Sequence, residues 1–205
     1  MKTIPSYNLE KELLHTVDLV FGMDEVGRGS FAGPLVAATV AFEQEFEWFS
    51  ELNDSKLLTP AKREQLSKLI LENATCFIEV IDVAEIDKFG IGKCNQQIFE
   101  RLINKVLNKY SKKKVHFLID GGQQEMNNID LDFIIKGDRK VISIAAASIV
   151  AKVFRDKLMT DLEDVYKGYD FSKNKGYGSK FHREAIGKIG LCPIHRKSFL
   201  LTKFL

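Results

Sequence analysis

The chain has 205 residues, 45% hydrophobic and 28% charged, with a formal net charge of +2. That apolar content supports one large domain, or one domain with a small appendage, and excludes a chain disordered over most of its length. Near-neutral charge excludes a generic polycation, so any nucleic-acid contact must come from a local basic surface.

In chain order, residues 1–16 read as a short amphipathic arm with Leu9, Leu13 and Leu14 on one side. The opening MKTIPSYNLEKELL carries acids and no apolar core, unlike a secretory signal. No later apolar run approaches a membrane span. Val17–Met23 is apolar and β-branched enough for a buried strand, and Pro34–Phe42 for a second. The glycine-containing link between them predicts a hairpin with a wide turn. Thr59–Pro60 supplies an N-cap and a proline at N1 for a helix through Leu66, Leu69 and Ile70. Cys76–Ile81 reads as a third strand. Asp82 with Glu85 forms a capping-box pattern for a short helix ending near Gly90. Ile98, Leu102, Val106 and Leu107 supply the stripe of a longer helix. Val115–Ile119 is a strand running into Asp120, and Leu131–Lys136 is another. From Ser143 the pattern turns helical, with Ile149, Val153, Phe154 and Leu158 expected toward the core. A Gly/Lys-rich loop, Lys173–Ser179, precedes a last helix ending at Gly190. This order predicts an α/β domain with a mixed sheet plus a helical C-terminal appendage. The expected divisions are an arm at 1–16, a catalytic domain at 17–163, and an appendage at 164–205 that carries a tyrosine loop.

Cys76, Cys94 and Cys192 are odd in number, widely spaced and outside any paired metal-ligand pattern, and are expected as reduced thiols in a cytoplasmic protein. Four acids sit where apolar segments stop: Asp24, Glu25, Asp120 and Asp138. Asp24 and Glu25 are neighbours, which on an ideal strand point to opposite faces. They serve one site only if the strand ends or twists there, and Gly27 close behind permits that. Carboxylates gathered in one cleft repel each other unless a cation neutralises them. Oxygen-only ligands suit Mg²⁺ or Mn²⁺ rather than zinc. Taken singly, each acid reads equally as a turn or cap residue.

Seven segments then carry a resemblance: GMDEVGRGSFAGP (22–34), LNDSK (52–56), LIDGG (118–122), KGD (136–138), SIAAASIVAKVFRD (143–156), KGYGS (175–179) and HRKSF (195–199). In content, order and spacing the chain resembles bacterial ribonuclease HII from about residue 17 to residue 199. Its Asp24–Glu25–Val26–Gly27 differs from the DESG-type motif of the related ribonuclease HIII, which also has a further N-terminal DNA-binding domain. The resemblance implies an RNase H-like fold with a five-stranded mixed sheet flanked by helices. It implies cleavage of RNA in RNA/DNA hybrids and incision at ribonucleotides embedded in duplex DNA, leaving 5′-phosphate and 3′-hydroxyl ends.

By position, the resemblance makes Asp24, Glu25, Asp120 and Asp138 the catalytic and metal-binding acids, with Mg²⁺ or Mn²⁺ as cofactor. Gly27, Arg28 and Gly29 match the loop that recognises the ribonucleotide at an RNA–DNA junction. Tyr177 matches the tyrosine that packs on the junction sugar. Lys56, Ser148 and Lys152 are candidate phosphate contacts, and Ser148 and Lys152 share a helix face. His182 and His195 are expected to be structural, and Asp156 to pair with Lys152. Departures are mild: Leu57 stands where a second lysine is common, Asn174 where histidine is, Ser179 where threonine is, and HRKSF replaces HRRSF. A sliding clamp is a partner the resemblance admits without a residue to reveal it. The tail Leu200–Leu205 reads as core packing or a partner peptide, with packing and a monomer expected. Two rival classes remain: a non-catalytic hybrid-binding module, separated by metal-dependent turnover, and another nuclease or strand transferase, separated by an all-DNA control. The glycine loop matches neither Walker A nor GxGxxG, which argues against a nucleotide-binding reading.

Overall fold

A computed structural model of the chain describes residues 4–122, 126 and 129–204. Residues 1–3 of the arm and Leu205 of the tail lie outside the described residues. Five strands, β1 (Leu19–Val26), β2 (Leu35–Ala41), β3 (Thr75–Ile81), β4 (Val115–Asp120) and β5 (Leu131–Ile134), form one sheet in the order β3-β2-β1-β4-β5. β1, β2 and β3 pair antiparallel, whereas β4 lies parallel to both β1 and β5. This is the mixed sheet expected from the sequence.

Helices α1 (Asn8–Leu13), α2 (Pro60–Asn73), α3 (Val83–Phe89), α4 (Ile91–Lys109), α5 (Ile142–Val165), α6 (Phe171–Asn174) and α7 (Lys180–Ile189) complete the described chain with short 3₁₀ turns. The Thr59 hydroxyl accepts the amide of Lys62, as the N-cap pattern predicts. The expected capping box at α3 closes on one side. Asp82 accepts the Glu85 amide, but the Glu85 carboxylate pairs with Arg101 instead of turning back.

The sheet is covered on both faces, which explains why all seven residues of β2 are buried. Val36, Ala38 and Val40 pack with α2 and α5, while Leu35, Ala37 and Ala41 pack with α4. On α4 the core stripe is Ile98, Phe99, Leu102, Ile103 and Val106, and the expected member Leu107 is exposed. Ala145–Ala147 are fully buried, and the α5 backbone lies so close to β1 at Gly22 that any side chain there would overlap Ser143. Enlarging one of these alanines should cost about 1–3 kcal/mol through overpacking.

The core face of α5 departs from its sequence pattern. Phe154 is 39% exposed and Val153 half-buried, while Arg155 is fully buried. A periodicity that counts arginine as polar sends this position outward, but a cage of carbonyl oxygens makes the interior habitable for it. Two boundaries also moved. β5 stops at Ile134, and Lys136 adopts a left-handed conformation with φ 57°. Lys173 and Asn174, expected in a loop, belong to α6.

The arm does more than lay leucines on the core. Ser6 bridges to Val141, and the buried Glu10 carboxylate accepts the Ser143 amide at 2.8 Å, capping α5 from a distant segment. A third cluster gathers Tyr169, Phe171, Ala185 and Ile186 with Ala32 and Met159. The tail closes onto it. Leu201 is buried and Phe204 stacks on Phe31 at 5.5 Å, whereas Leu200 is exposed.

Candidate active site

Two of the four acids, Asp24 and Asp120, are delivered to one face by register, and a third, Asp138, is brought to them by a turn. Gly22, Asp24 and Val26 pair with Val40, Ala38 and Val36, the β2 residues that face α5. Leu118 lies on the same face, so Asp120, two residues further along β4, follows it. Asp138 sits in a 3₁₀ turn, Gly137–Arg139, immediately before α5. The left-handed Lys136 turns the chain so that the Gly137 amide donates to the Asp120 carboxylate at 2.6 Å. One hydrogen bond thus ties the strand end that carries Asp120 to the turn that carries Asp138.

Glu25 is different. β1 continues in register through Val26, so Glu25 emerges on the opposite face beside the strand end. Its charge still reaches Asp120, Arg28 and Lys56. The strand neither ends nor breaks at the pair; the acids meet around its terminus.

Burial and mutual repulsion push protons onto this cluster. Burial raises the Asp24 carboxyl well above the ordinary range, with Glu25 and Asp120 adding to it and the Ser148 hydroxyl drawing it back. Glu25 is pushed up to about 7, by burial first, against Arg28 and Lys56 and with Asp120 adding to the rise. Asp138 is raised by burial, then by Asp120 and Asp54, against Lys56 and Arg139.

A turn that the sequence reading used only for Lys56 braces both ends of the cluster. The buried Asp54 carboxylate accepts the Lys56 amide at 2.9 Å and two bonds from Arg139, at 2.7 and 3.2 Å. Arg139 adjoins Asp138, so Asp54 steadies that acid through its neighbour. The Ser55 hydroxyl lies 3.0 Å from that of Ser148, beside Asp24. Ser148 is therefore buried against the acids, while Lys56 is exposed. Lys152 pairs with Asp156 at 2.7 Å and sits 5.8 Å from the Tyr177 ring centre.

The loop after β1 and the turn bearing Tyr177 are joined. The Gly176 carbonyl accepts the amides of Phe31 and Ala32 at 2.8 and 3.1 Å. Gly27 has φ 93°, while Arg28, Gly29 and Tyr177 are exposed. Behind Tyr177 lies a buried neutral relay. The Cys192 amide donates to His195 Nδ1 at 2.9 Å, so His195 Nε2 carries the proton toward His182 Nε2 at 3.0 Å. His182 Nδ1 then donates to the Tyr177 carbonyl at 2.9 Å. Burial lowers both imidazoles, His195 to about 4 with His182 adding to the effect. Both rings are buried and spend their nitrogens on hydrogen bonds within the fold. Arg155 and Arg196, also fully buried, carried no sequence signal of their own.

A family model described as Ribonuclease HII matches residues 21–202. The chain belongs to the ribonuclease HII family. It is 44% identical to ribonuclease HII of Leuconostoc citreum, over 94% of this chain and 73% of that one. Identity to the Fusobacterium nucleatum ribonuclease HII is also 44%, over 88% and 85% respectively. Among solved structures, the Archaeoglobus fulgidus ribonuclease HII, determined in complex with PCNA, matches with a TM-score of 0.73 at 23% identity, covering 88% of this chain and 93% of that one. At that identity the likeness speaks for the fold, an RNase H fold. As a ribonuclease HII, the chain is a metal-dependent hydrolase that acts as an endoribonuclease on RNA/DNA hybrids.

The acids fit a hard divalent cation in charge and donor type. Among the described residues no three His, Cys, Asp or Glu side chains close into a ready-made cage. The sign of the linkage follows. Asp24, Glu25 and Asp138 have folded pKa values above their unfolded ones, so their contribution is full below about pH 4 and lost as pH rises toward about 7 at Glu25. A cation offsets that loss. In thermal melts, Mn²⁺ should therefore raise Tm more at pH 8 than at pH 5.5; an equal rise at both would contradict the repulsion. Among the described residues no helix is long and apolar enough to cross a membrane.

Proposed function

We propose that the chain incises duplex DNA on the 5′ side of embedded ribonucleotides, and cuts RNA tracts in hybrids, leaving 5′-phosphate and 3′-hydroxyl ends. Asp24, Glu25, Asp120 and Asp138 are the residues that would hold two Mg²⁺ or Mn²⁺ ions. When bound, such ions activate a water and stabilise the leaving oxygen.

The remaining work falls to the chain itself. The β1 and β4 ends and the 137–139 turn hold the acids in place, so little reorganisation is needed as charge develops. Lys56 and Lys152 offer cationic contacts to backbone phosphates, and Ser148 orients Asp24 by its hydroxyl. Gly27, Arg28 and Gly29 present backbone groups and a guanidinium to the junction nucleotide, and the exposed Tyr177 ring offers a face to its sugar. Together they would sense the 2′-hydroxyl, the local difference between RNA and DNA.

The observation that supports this reading is the pair of hydrogen bonds from Phe31 and Ala32 to the Gly176 carbonyl, which joins the loop after β1 to the turn bearing Tyr177. Residues 164–205 serve here as the helical appendage that carries Tyr177. A clamp partner rests on the Archaeoglobus complex alone.

The test is a duplex with one internal ribonucleotide beside the same duplex in DNA, each with Mg²⁺ or Mn²⁺. Cleavage of the first and survival of the second is expected. No cleavage with either metal would overturn the proposal, and cutting of the all-DNA duplex would favour a general nuclease.

A further inference from the structure

Two arginines, Arg155 on α5 and Arg196 near the C-terminus, are fully buried. Burying a cation is costly, and an apolar side chain would fill the same volume without that cost. Their hydrogen bonds show what the charge is used for. Arg155 Nε donates to the Pro34 carbonyl at 2.9 Å, and Nη2 to Ser30 Oγ at 2.9 Å and the Ala32 carbonyl at 3.2 Å. Its Nη1 donates to the Lys175 carbonyl at 2.9 Å. Arg196 gives Nε and Nη2 to the Gly33 carbonyl at 3.0 and 2.8 Å, and Nη1 to the Arg28 carbonyl at 2.9 Å.

All these acceptors belong to two segments, residues 28–34 and the start of the turn that bears Tyr177. Arg155 also lies directly beneath Gly27, where any side chain would overlap its Nε. Its Cζ is 5.5 Å from the Tyr177 ring centre. One guanidinium therefore touches both segments, which are remote from each other in sequence.

We propose that Arg155 is a positioning residue for ribose selectivity, setting the distance between the Gly27–Arg28–Gly29 loop and Tyr177, with Arg196 as a second brace on the loop. This rests on the reading of those two segments as the 2′-hydroxyl sensor. Recognising one hydroxyl from two separate segments requires both to be placed within hydrogen-bonding tolerance of a few tenths of an ångström. A planar fork holds its five donors in fixed directions and so sets several carbonyls at once, whereas the three donors of lysine rotate about a single nitrogen.

The test compares wild type with R155K, R196K and S30A, the last removing one acceptor of Arg155 from the loop side. KM is measured on the single-ribonucleotide duplex, and KI for the all-DNA duplex as a competitive inhibitor. The ratio of KI to KM reports ribose preference and does not depend on the fraction of protein folded. Wild type should give a ratio well above one. R155K should reduce it about tenfold and lower kcat, R196K less, and S30A by about two- to threefold. KI itself should hold within about twofold, because it reads contacts that need no 2′-hydroxyl.

Should R155K fail to fold, R196K and S30A decide the matter. Variants that keep the wild-type ratio overturn the positioning role while leaving the sensor reading intact. A wild-type ratio near one overturns both.

Discussion

Replacing Asp24 or Asp120 by Asn should lower kcat on the order of 10³-fold, and the D24N protein should nevertheless melt higher than wild type in the absence of metal. Both halves come from the same electrostatics. Asp24 is buried against Glu25 and Asp120, and its ionised form is disfavoured by burial first and by those charges second. Asparagine keeps an oxygen for the Glu25 amide, which Asp24 Oδ1 accepts at 2.8 Å, and removes the charge. Each kcal/mol of repulsion relieved should raise Tm by roughly 2–4 °C for a chain of this size. Added Mn²⁺ should reverse the order, because only the wild type retains the full acid set. Melting curves with chelator and with Mn²⁺, beside rates on an RNA/DNA hybrid, check both halves. Retained activity in D120N would remove that acid from the cluster, and a lower metal-free Tm in D24N would contradict the repulsion.

Gly27→Ala should damage both stability and cleavage. Gly27 has φ 93°, a region costly to an L side chain, and a Cβ there would overlap Arg155 Nε and come within 2.8 Å of the Pro34 carbonyl. Stability should fall by about 2–4 kcal/mol. Cleavage should drop about 100-fold in the fraction that folds, because the loop is displaced from the acids. Gly29→Ala is the control, since a Cβ at Gly29 meets nothing within 4 Å. It should fold like wild type, so any loss of activity reports the approach of substrate alone. Denaturant melts and rates on the ribonucleotide duplex separate the two effects. Equal stability of G27A and wild type would contradict the packing of Arg155 against the loop.

Much of the fold was legible because its elements obey simple periodicities. The strands announce themselves as apolar, β-branched runs, and Thr59–Pro60 and Gly90 mark helix ends by their caps. The four acids stood out because each interrupts an apolar segment at its end. What stayed hidden has one physical origin: polar residues that the interior accommodates through distant partners. Arg155 has no place in the apolar stripe that includes Phe154, yet four acceptors from two remote segments draw it inside and leave the phenylalanine exposed. Glu10 gave no sign that it would cap a helix starting more than a hundred residues away. Asp54 and Arg139 were read past for the same reason, since their pairing appears only once the 3₁₀ turns meet. Lys136 looked like the end of a strand because nothing local demands the left-handed turn; the Gly137–Asp120 hydrogen bond does.

The most direct test of the account is to map the nick. Chelated protein is supplied with Mg²⁺ or Mn²⁺ and a duplex labelled at the 5′ end of the strand with a single ribonucleotide. The account predicts one metal-dependent cut on the 5′ side of the ribonucleotide, with a 3′-hydroxyl on the labelled fragment and a 5′-phosphate on the other. Cutting that ignores the ribonucleotide's position, or that persists in chelator, would contradict it.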